Sequence, residues 1–238
     1  MTRIIKFSIL SFIILFLLNN NSFSLAQTSN VVKIFPPDSK PYGLSYTEHV
    51  KNYWKFLASI PASITPMTDM TGERCIAGQM DNASVFYLAG SGAKIQKEPR
   101  ICNIPSGHGI MFMAGSSIMN SIAESPESTI DELNEAAKQD SAEAKDLYVE
   151  INGQQKYTNA DIRKFQVNTG EMKVEFPKNG DGIFGVSQPG STKAVADGFY
   201  MITEPLKPGI YDIHIKGINM DGKIKIGHTD LKYHLSVK

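Results

Sequence analysis

This 238-residue sequence has no excess of basic residues, few cysteines and few long apolar segments. Its 24 lysines and arginines are balanced by 24 aspartates and glutamates. A surface that follows the phosphates of a nucleic acid needs a basic excess, so nucleic-acid binding is not an expected function. Beyond the N-terminal segment, no stretch is apolar enough to span a bilayer. With 42% apolar and 20% charged residues, the chain has the composition of an ordinary globular protein.

The N-terminal segment has the layout of a secretory signal peptide. Arg3 and Lys6 precede the apolar run from Phe7 to Leu18, and the small residues Ser24 and Ala26 stand before Gln27. We therefore predict a signal peptide over residues 1–26 and a secreted or cell-surface protein. The apolar run spans about 18 Å as a helix, less than the ~30 Å hydrocarbon core. The alternative is an uncleaved anchor, and only in that case is membrane attachment expected.

Cys75 and Cys102 are the two cysteines of the chain. In an exported protein an even number of cysteines indicates a disulfide. Such a bridge would stabilise the fold by roughly 3–4 kcal/mol in the chain-entropy model. Free thiols and metal ligation are the alternatives.

Two segments have helical patterns, near residues 45–60 and 127–146. In the first, Ser45 and Glu48 form a capping-box pattern, apolar residues recur at helical spacing, and Pro61 ends the pattern. The second is rich in alanine and charged residues, and Ser125 or Ser128 is its candidate N-cap. We predict an N-terminal helix and one helical insertion on the surface of a sheet.

The rest of the chain has the pattern of β-structure. Ser84–Gly90 and Gly109–Gly115 are apolar runs typical of buried strands, and Tyr211, Ile213 and Ile215 alternate with polar residues. Turn signals occur at Asn152-Gly153 and then, at intervals of roughly ten residues, at Asn179-Gly180, Pro189-Gly190, Asp197-Gly198, Pro208-Gly209 and Asp221-Gly222. We predict a β-rich (α+β) fold, an antiparallel β-sandwich, in a single domain over residues 27–238.

Several separated motifs resemble those of a family of secreted microbial proteins of unknown function. They are GLSYTEHVKNYWKFLASIPAS, TGERC, VFYLAG, RICNIPSGHGIMF, LKPGIYDIHIKG and YHLSV, in this order. The resemblance covers most of the chain after the signal segment. It implies an exported β-rich domain with Cys75 paired to Cys102, and it implies no catalytic residues.

The run CNIPSGHGIMFM, from Cys102 to Met113, raises the question of a copper site. Blue-copper centres use one cysteine, two histidines and a weak axial methionine; here His108, Met111 or Met113, and the distant His49 would be needed. The run lies in the middle of the chain, and Cys75 competes for Cys102. The sequence IPSGHG is also typical of a turn before a buried strand. We therefore favour a disulfide followed by a turn, with no copper bound through Cys102.

The histidines offer a separate, weaker metal hypothesis. His49, His108, His214, His228 and His234 show none of the close spacings that place two imidazoles on one metal. Alternation places His214 and His234 on the outward faces of their strands. Our prediction is that no metal or other cofactor is bound; the candidate ligands for the alternative are His49, His108, His214 and His234.

Sequence alone indicates a function only in outline. The segment GVSQP lacks the last glycine of a nucleophile-elbow motif, and no other catalytic motif is supported. We expect a secreted, non-enzymatic domain with a binding or structural role and an extracellular ligand or protein as partner. The alternative is an extracellular enzyme, either metal-assisted or carbohydrate-active.

Overall fold

The computed structural model describes residues 31–80, 83–92, 95–121, 124–221 and 223–238. The predicted signal peptide over residues 1–26 lies outside these ranges. The described helices are α1 Tyr46–Ser59, α2 Ile130–Glu143 and α3 Asn159–Ile162. The strands are β1 Val85–Tyr87, β2 Arg100–Ile104, β3 Gly109–Asn120, β4 Lys145–Ile151, β5 Gln155–Tyr157, β6 Gln166–Asn168, β7 Met172–Phe176, β8 Gly190–Ile202, β9 Gly209–Asp221 and β10 Ile224–Val237.

The strands form two five-stranded sheets. The first has the order β1-β3-β8-β6, with β7 also paired to β8, and the second has the order β2-β10-β9-β4-β5. Most neighbours are antiparallel, but β1 pairs with β3, and β2 with β10, in parallel. The prediction of a purely antiparallel fold is therefore wrong, and both sheets are mixed. Turn signals reveal only pairs joined by hairpins, whereas these parallel pairs join strands that are not connected by a turn.

Helix α1 confirms the prediction near residues 45–60. The Ser45 side chain accepts a hydrogen bond from the Glu48 amide, and the Glu48 carboxylate accepts one from the Ser45 amide, which completes the capping box. One side of the helix is buried, including Tyr53 and Trp54. The Trp54 indole N–H donates to the Tyr200 hydroxyl of β8 over 2.7 Å. Helix α1 thus covers one face of the first sheet.

Helix α2 confirms the second helical prediction within narrower bounds. Thr129 is its N-cap, in a capping box with Glu132, so the predicted caps Ser125 and Ser128 are wrong. The helix ends at Glu143, and β4 begins at Lys145. Leu133 and Ala137 pack against Val195 of β8. The short helix α3 was not predicted.

The predicted turn at Asp197-Gly198 is wrong, because both residues lie inside β8. Asp197 is buried, and its carboxylate accepts hydrogen bonds from the side-chain amides of Gln166 and Asn168 over 2.7 and 2.9 Å. Gly198 pairs with Ser116 of β3. Tertiary hydrogen bonds satisfy the carboxylate that a turn would otherwise expose to water.

One hydrophobic cluster includes residues from both sheets and from α1. A β-carbon added at Gly115 of β3 would lie 2.9 Å from Leu147 of β4 and 3.6 Å from Phe199 of β8. Side chains of the two sheets therefore converge at this glycine, where a larger residue does not fit. The chain from Val31 to Lys238 forms one compact unit.

Strand β2 is tied to its surroundings by a disulfide and by a buried arginine. Cys75 and Cys102 are paired with their α-carbons 5.7 Å apart, inside the range of about 4.4–6.8 Å for bridged residues. Arg100 is 1% exposed and donates to the carbonyls of Ala89 and Met67 and to the Tyr233 hydroxyl. These hydrogen bonds replace those that the guanidinium would make with water, which lowers the cost of burying the cation. They also join three segments of the chain.

Candidate functional site

The outer face of the second sheet carries a dense group of charged side chains. In β9, Tyr211, Ile213 and Ile215 are buried, as predicted, whereas Asp212 and His214 point to solvent. The same alternation occurs in β10, where Leu231, Tyr233, Leu235 and Val237 are buried as predicted and Asp230, Lys232 and His234 are not. Because neighbouring strands present their outward residues side by side, these groups form a continuous surface, which we call the polar face.

The strand register arranges the centre of the polar face as a row of charges. Lys156 of β5 lies opposite Glu150 of β4, Glu150 lies opposite His214 of β9, and His214 lies opposite Lys232 of β10. Residues directly opposite each other in a sheet have β-carbons about 4.5–5.5 Å apart. The row therefore brings one carboxylate, one imidazole and two ammonium groups into a narrow strip.

Two histidine–aspartate pairs lie on the polar face, and the first of them includes His214 of this row. His214 Nε2 donates to Asp230 Oδ1 over 2.7 Å, and His234 Nδ1 donates to Asp212 Oδ1 over 2.8 Å. The first pair is the less exposed, at 21% and 27%, against 41% and 65% for the second. Each bond fixes one ring nitrogen as a donor and orients the imidazole.

A third group joins the first two strands of the row. The Tyr148 hydroxyl donates to Glu150 Oε2 over 2.5 Å, and the Lys156 ammonium lies 3.5 Å from the same oxygen. The Tyr148 ring also contacts His214 edge-on, with the ring centroids 6.4 Å apart. These contacts hold the Glu150 carboxylate in one place beside the imidazole.

The pKa shifts on the polar face follow from these contacts. Partial burial acts to raise the pKa of Asp230, but the hydrogen bond and charge of His214, together with Lys216 and Lys232, lower it overall. The hydrogen bond from Tyr148 is the largest cause of the lowered pKa of Glu150. Both carboxylates are thus stabilised in their ionised form.

A shallow cavity of about 340 Å³ lies within the polar face. It is lined by Pro99, Glu150, Gly153, Asp212, Ile213, His214, Lys232 and Tyr233. The volume falls near the lower end of the range of small-molecule sites, about 300–1,000 Å³. The cavity presents carboxylate, imidazole and ammonium groups, and the largely buried Ile213 and Tyr233 complete its lining.

A second cavity, of about 360 Å³, lies near the disulfide and is more apolar. Its lining is Ile76, Gln79, Met80, Val85, Phe86, Asn103, Ile104, Pro105, His108 and Lys238. The Gln79 side-chain amide donates to the Tyr87 carbonyl and accepts from the Tyr87 amide. The amide therefore protects the outer edge of β1 as a neighbouring strand would. Few polar groups converge in this cavity, so the polar face is the stronger candidate.

The remaining predicted candidates are dispersed over the molecule. His49 is buried in α1, with Nε2 donating to the Pro41 carbonyl over 2.8 Å, and His108 contacts the Pro105 carbonyl in the loop after β2. Among the described residues, no group of three or more histidine, cysteine, aspartate or glutamate residues is arranged to hold a metal ion. The disulfide occupies the Cys102 sulfur that a copper site would need. Met111 is buried in the core, against which Met113 packs.

Sequence reasoning placed His214 and His234 on an outer face but missed their aspartate partners and the Tyr148–Glu150 pair. The signal for the missing residues is the same alternation, which also turns Asp212 and Asp230 outward. The alternation within one strand does not show which residue of the next strand lies opposite. Cross-strand register is needed to convert two outward strands into pairs.

Comparison with known proteins identifies no relative. No protein-family model matches the chain, and neither a curated protein nor a solved structure matches it significantly. The resemblance to secreted microbial proteins therefore stays a prediction. In the described ranges, no helix is both long and apolar enough to cross a membrane.

Proposed function

We propose that this protein is an exported, non-enzymatic domain in which the two sheets form a β-sandwich and the polar face of the second sheet binds an extracellular ligand. The signal-peptide layout and the disulfide support export. The single hydrophobic cluster shared by both sheets supports the sandwich. The polar face supports binding, because its charged groups lie around an open cavity of small-molecule size.

The observation that carries the proposal is that internal hydrogen bonds orient the side chains of the polar face. The side chains of Glu150, Asp212 and His214 are each held by a hydrogen bond to another side chain. A ligand that meets oriented groups loses less conformational entropy on binding than one that must order them. A surface that served only solubility would not need this arrangement.

The test is a binding screen of the intact exported protein on glycan and protein arrays, followed by a double variant. Asp212→Asn with Lys232→Gln removes one charge of each sign from the cavity. Lys173→Gln with Glu175→Gln on β7 of the first sheet is the matched control, since both of its residues are exposed and the net charge is again unchanged. We expect array binding to be lost in the cavity variant and kept in the control. Equal binding by both variants would refute a ligand site on the polar face.

One observation favours an enzyme as the second candidate. His234 is oriented by Asp212 through Nδ1, which is how a general base is held in many hydrolases. No nucleophile is seen in hydrogen-bond contact with the other nitrogen of this ring among the described residues. Release of products from a ligand found in the screen, abolished by His234→Gln while binding persists, would establish the enzyme instead.

A further inference from the structure

We infer that the ligand of the polar face is an acidic polysaccharide, which is bound through Lys216, Lys232 and the two histidines. This inference rests on the proposed function and names its ligand class. It is carried by the position of Lys216 and Lys232, which have no ion pair among the described residues of the face, next to carboxylates that already accept hydrogen bonds from other side chains.

The carboxylates of the polar face already have cationic or hydroxyl partners. Glu150 accepts from Tyr148 and lies within ion-pair distance of Lys156, Asp230 accepts from His214, and Asp212 accepts from His234. Each of these carboxylates therefore already has an internal hydrogen-bond donor. A cationic ligand would have to displace these internal partners.

Two lysines of the polar face remain available. Lys216 of β9 lies opposite Asp230, and Lys232 of β10 lies opposite His214. Both ammonium groups are close enough to help lower the pKa of Asp230. Within the described part of the chain, however, the ion pairs of the face involve Lys156, His214 and His234 and neither of these lysines. Their charge is thus free to pair with an anionic ligand.

The histidines add hydrogen-bonding groups beside these lysines. Each uses one ring nitrogen for its aspartate, and the other nitrogen can bond a sugar hydroxyl. His214 lies opposite Lys232, so the imidazole and the ammonium group can contact the same ligand.

A polysaccharide fits this surface better than a lipid or an acidic peptide. The exposed apolar residues nearest to the polar face are Ile101 of β2, opposite His234, and Ile210 near the start of β9. The centre of the face therefore offers little to an acyl chain. Glu150 and Asp212 also line the cavity, and carboxylate oxygens have several lone pairs. They can accept hydrogen bonds from sugar hydroxyls in addition to their internal ones. Polyglutamate has no hydroxyl groups with which to use these acceptors.

The experiment measures binding of the intact exported protein to alginate, dextran sulfate, neutral dextran and polyglutamate at neutral pH and low ionic strength. We expect alginate and dextran sulfate to bind and the other two polymers not to bind. Lys216→Gln with Lys232→Gln should weaken alginate binding about fivefold or more. Lys173→Gln with Lys193→Gln, two exposed lysines of the first sheet, is the control and should have no such effect.

The histidine contribution is tested separately under the same conditions. His214→Gln with His234→Gln should weaken alginate binding, whereas His108→Gln should leave it unchanged. Alginate binding as tight in the double variant as in the wild type would overturn the role of these two histidines.

The remaining outcomes separate this inference from the proposed function. Polyglutamate binding as tight as alginate binding would overturn the polysaccharide assignment. Binding of neutral dextran or of another uncharged array ligand that is lost with Asp212→Asn and Lys232→Gln would overturn the acidic ligand and leave the polar face as the binding site. Alginate binding that is lost only in the lysine control would overturn both.

Discussion

Strands β8 and β9 are consecutive in the chain and 13 residues long in each case, yet their surroundings differ completely. In β8, every residue from Thr192 to Ile202 except Lys193 is buried. In β9, buried and outward residues alternate from Tyr211 to Gly217. The difference is the number of covered faces, because α1 covers one face of the first sheet, and α2 and the second sheet pack against the other.

This comparison shows where a ligand can reach the protein. A strand covered on both faces is nearly continuously apolar, whereas a strand with one open face alternates. The open face of β9 and β10 is therefore the part of the sheet surface where charged side chains can collect without a desolvation cost. The substitutions below test how far the two strands differ, from the largest expected effect to the smallest.

The largest effect is expected from Phe199→Ala in β8. Phe199 is completely buried, and its ring lies under the Arg163 guanidinium, 5.3 Å from the ring centroid. Removing a buried aromatic ring costs about 3–5 kcal/mol, since transfer and cavity terms add. Urea unfolding should show this loss. His214→Ala in β9 is the matched change on the open face and should cost about 1 kcal/mol or less; equal losses would contradict the comparison.

A smaller loss is expected from Tyr200→Phe, the next residue of β8. Tyr200 points to the opposite face, where its hydroxyl accepts the Trp54 indole N–H of α1. The substitution leaves that buried N–H without this acceptor and should cost about 1–3 kcal/mol. Tyr211→Phe in β9 is the control. The Tyr211 hydroxyl donates to the Lys207 carbonyl in the loop before β9, and this bond is only partly buried. If Tyr200→Phe costs no more than this control, the α1 contact contributes little to stability.

The third effect depends on pH and concerns His49, on the helix that covers the first sheet. Burial lowers the pKa of His49, although the hydrogen bond to Pro41 and the charge of Glu48 act in the opposite direction. The unfolded chain therefore binds this proton at higher pH than the folded chain does. Stability from this residue is complete above the unfolded pKa of about 6.5 and is lost as the pH falls below it, by at most about 1.4 kcal/mol per pH unit.

The measurement for His49 is the urea midpoint at pH 7.5, 6.5 and 5.5. The wild-type protein should lose stability between pH 6.5 and 5.5, and His49→Gln should show a smaller loss over this interval. His108→Gln, in a loop contact, should behave like the wild type. Parallel pH profiles of the wild type and His49→Gln would show that the buried imidazole does not titrate on unfolding.

Local signals predicted the elements of this fold better than their partners. The Ser45 capping box and the alternation around Ile213 depend on neighbouring residues, and both were interpreted correctly. The parallel pairing of β2 with β10 joins distant parts of the chain, such as Arg100 and Tyr233, and no local pattern encodes it. Asp197-Gly198 has the composition of a turn. Its hydrogen-bond partners, Gln166 and Asn168, become neighbours only in the folded sheet, so the sequence does not show that it lies inside a strand.

The histidine–aspartate pairs could have been found with one more step. Asp221 lies opposite Ile224 at the hairpin, and an unbroken ladder from there would place outward Asp212 opposite inward Tyr233. The two alternating patterns are therefore compatible only if one strand contains a bulge. The structure has this irregularity between Lys225 and Gly227, and it brings His234 opposite Asp212. The two patterns together thus require a bulge, although neither shows its position.

The smallest effect on stability is expected from the His214–Asp230 pair itself. Both side chains are more than one-fifth exposed, and solvent-exposed ion pairs contribute about 0–1 kcal/mol. A double-mutant cycle with His214→Gln and Asp230→Asn should give a coupling energy in this range by urea unfolding at pH 6. The same double variant should weaken alginate binding clearly more than it weakens folding, because the pair orients a binding group on the open face. A coupling energy above about 3 kcal/mol, with alginate binding unchanged, would mean that β9 uses its outward residues for stability in the way that β8 uses its buried ones.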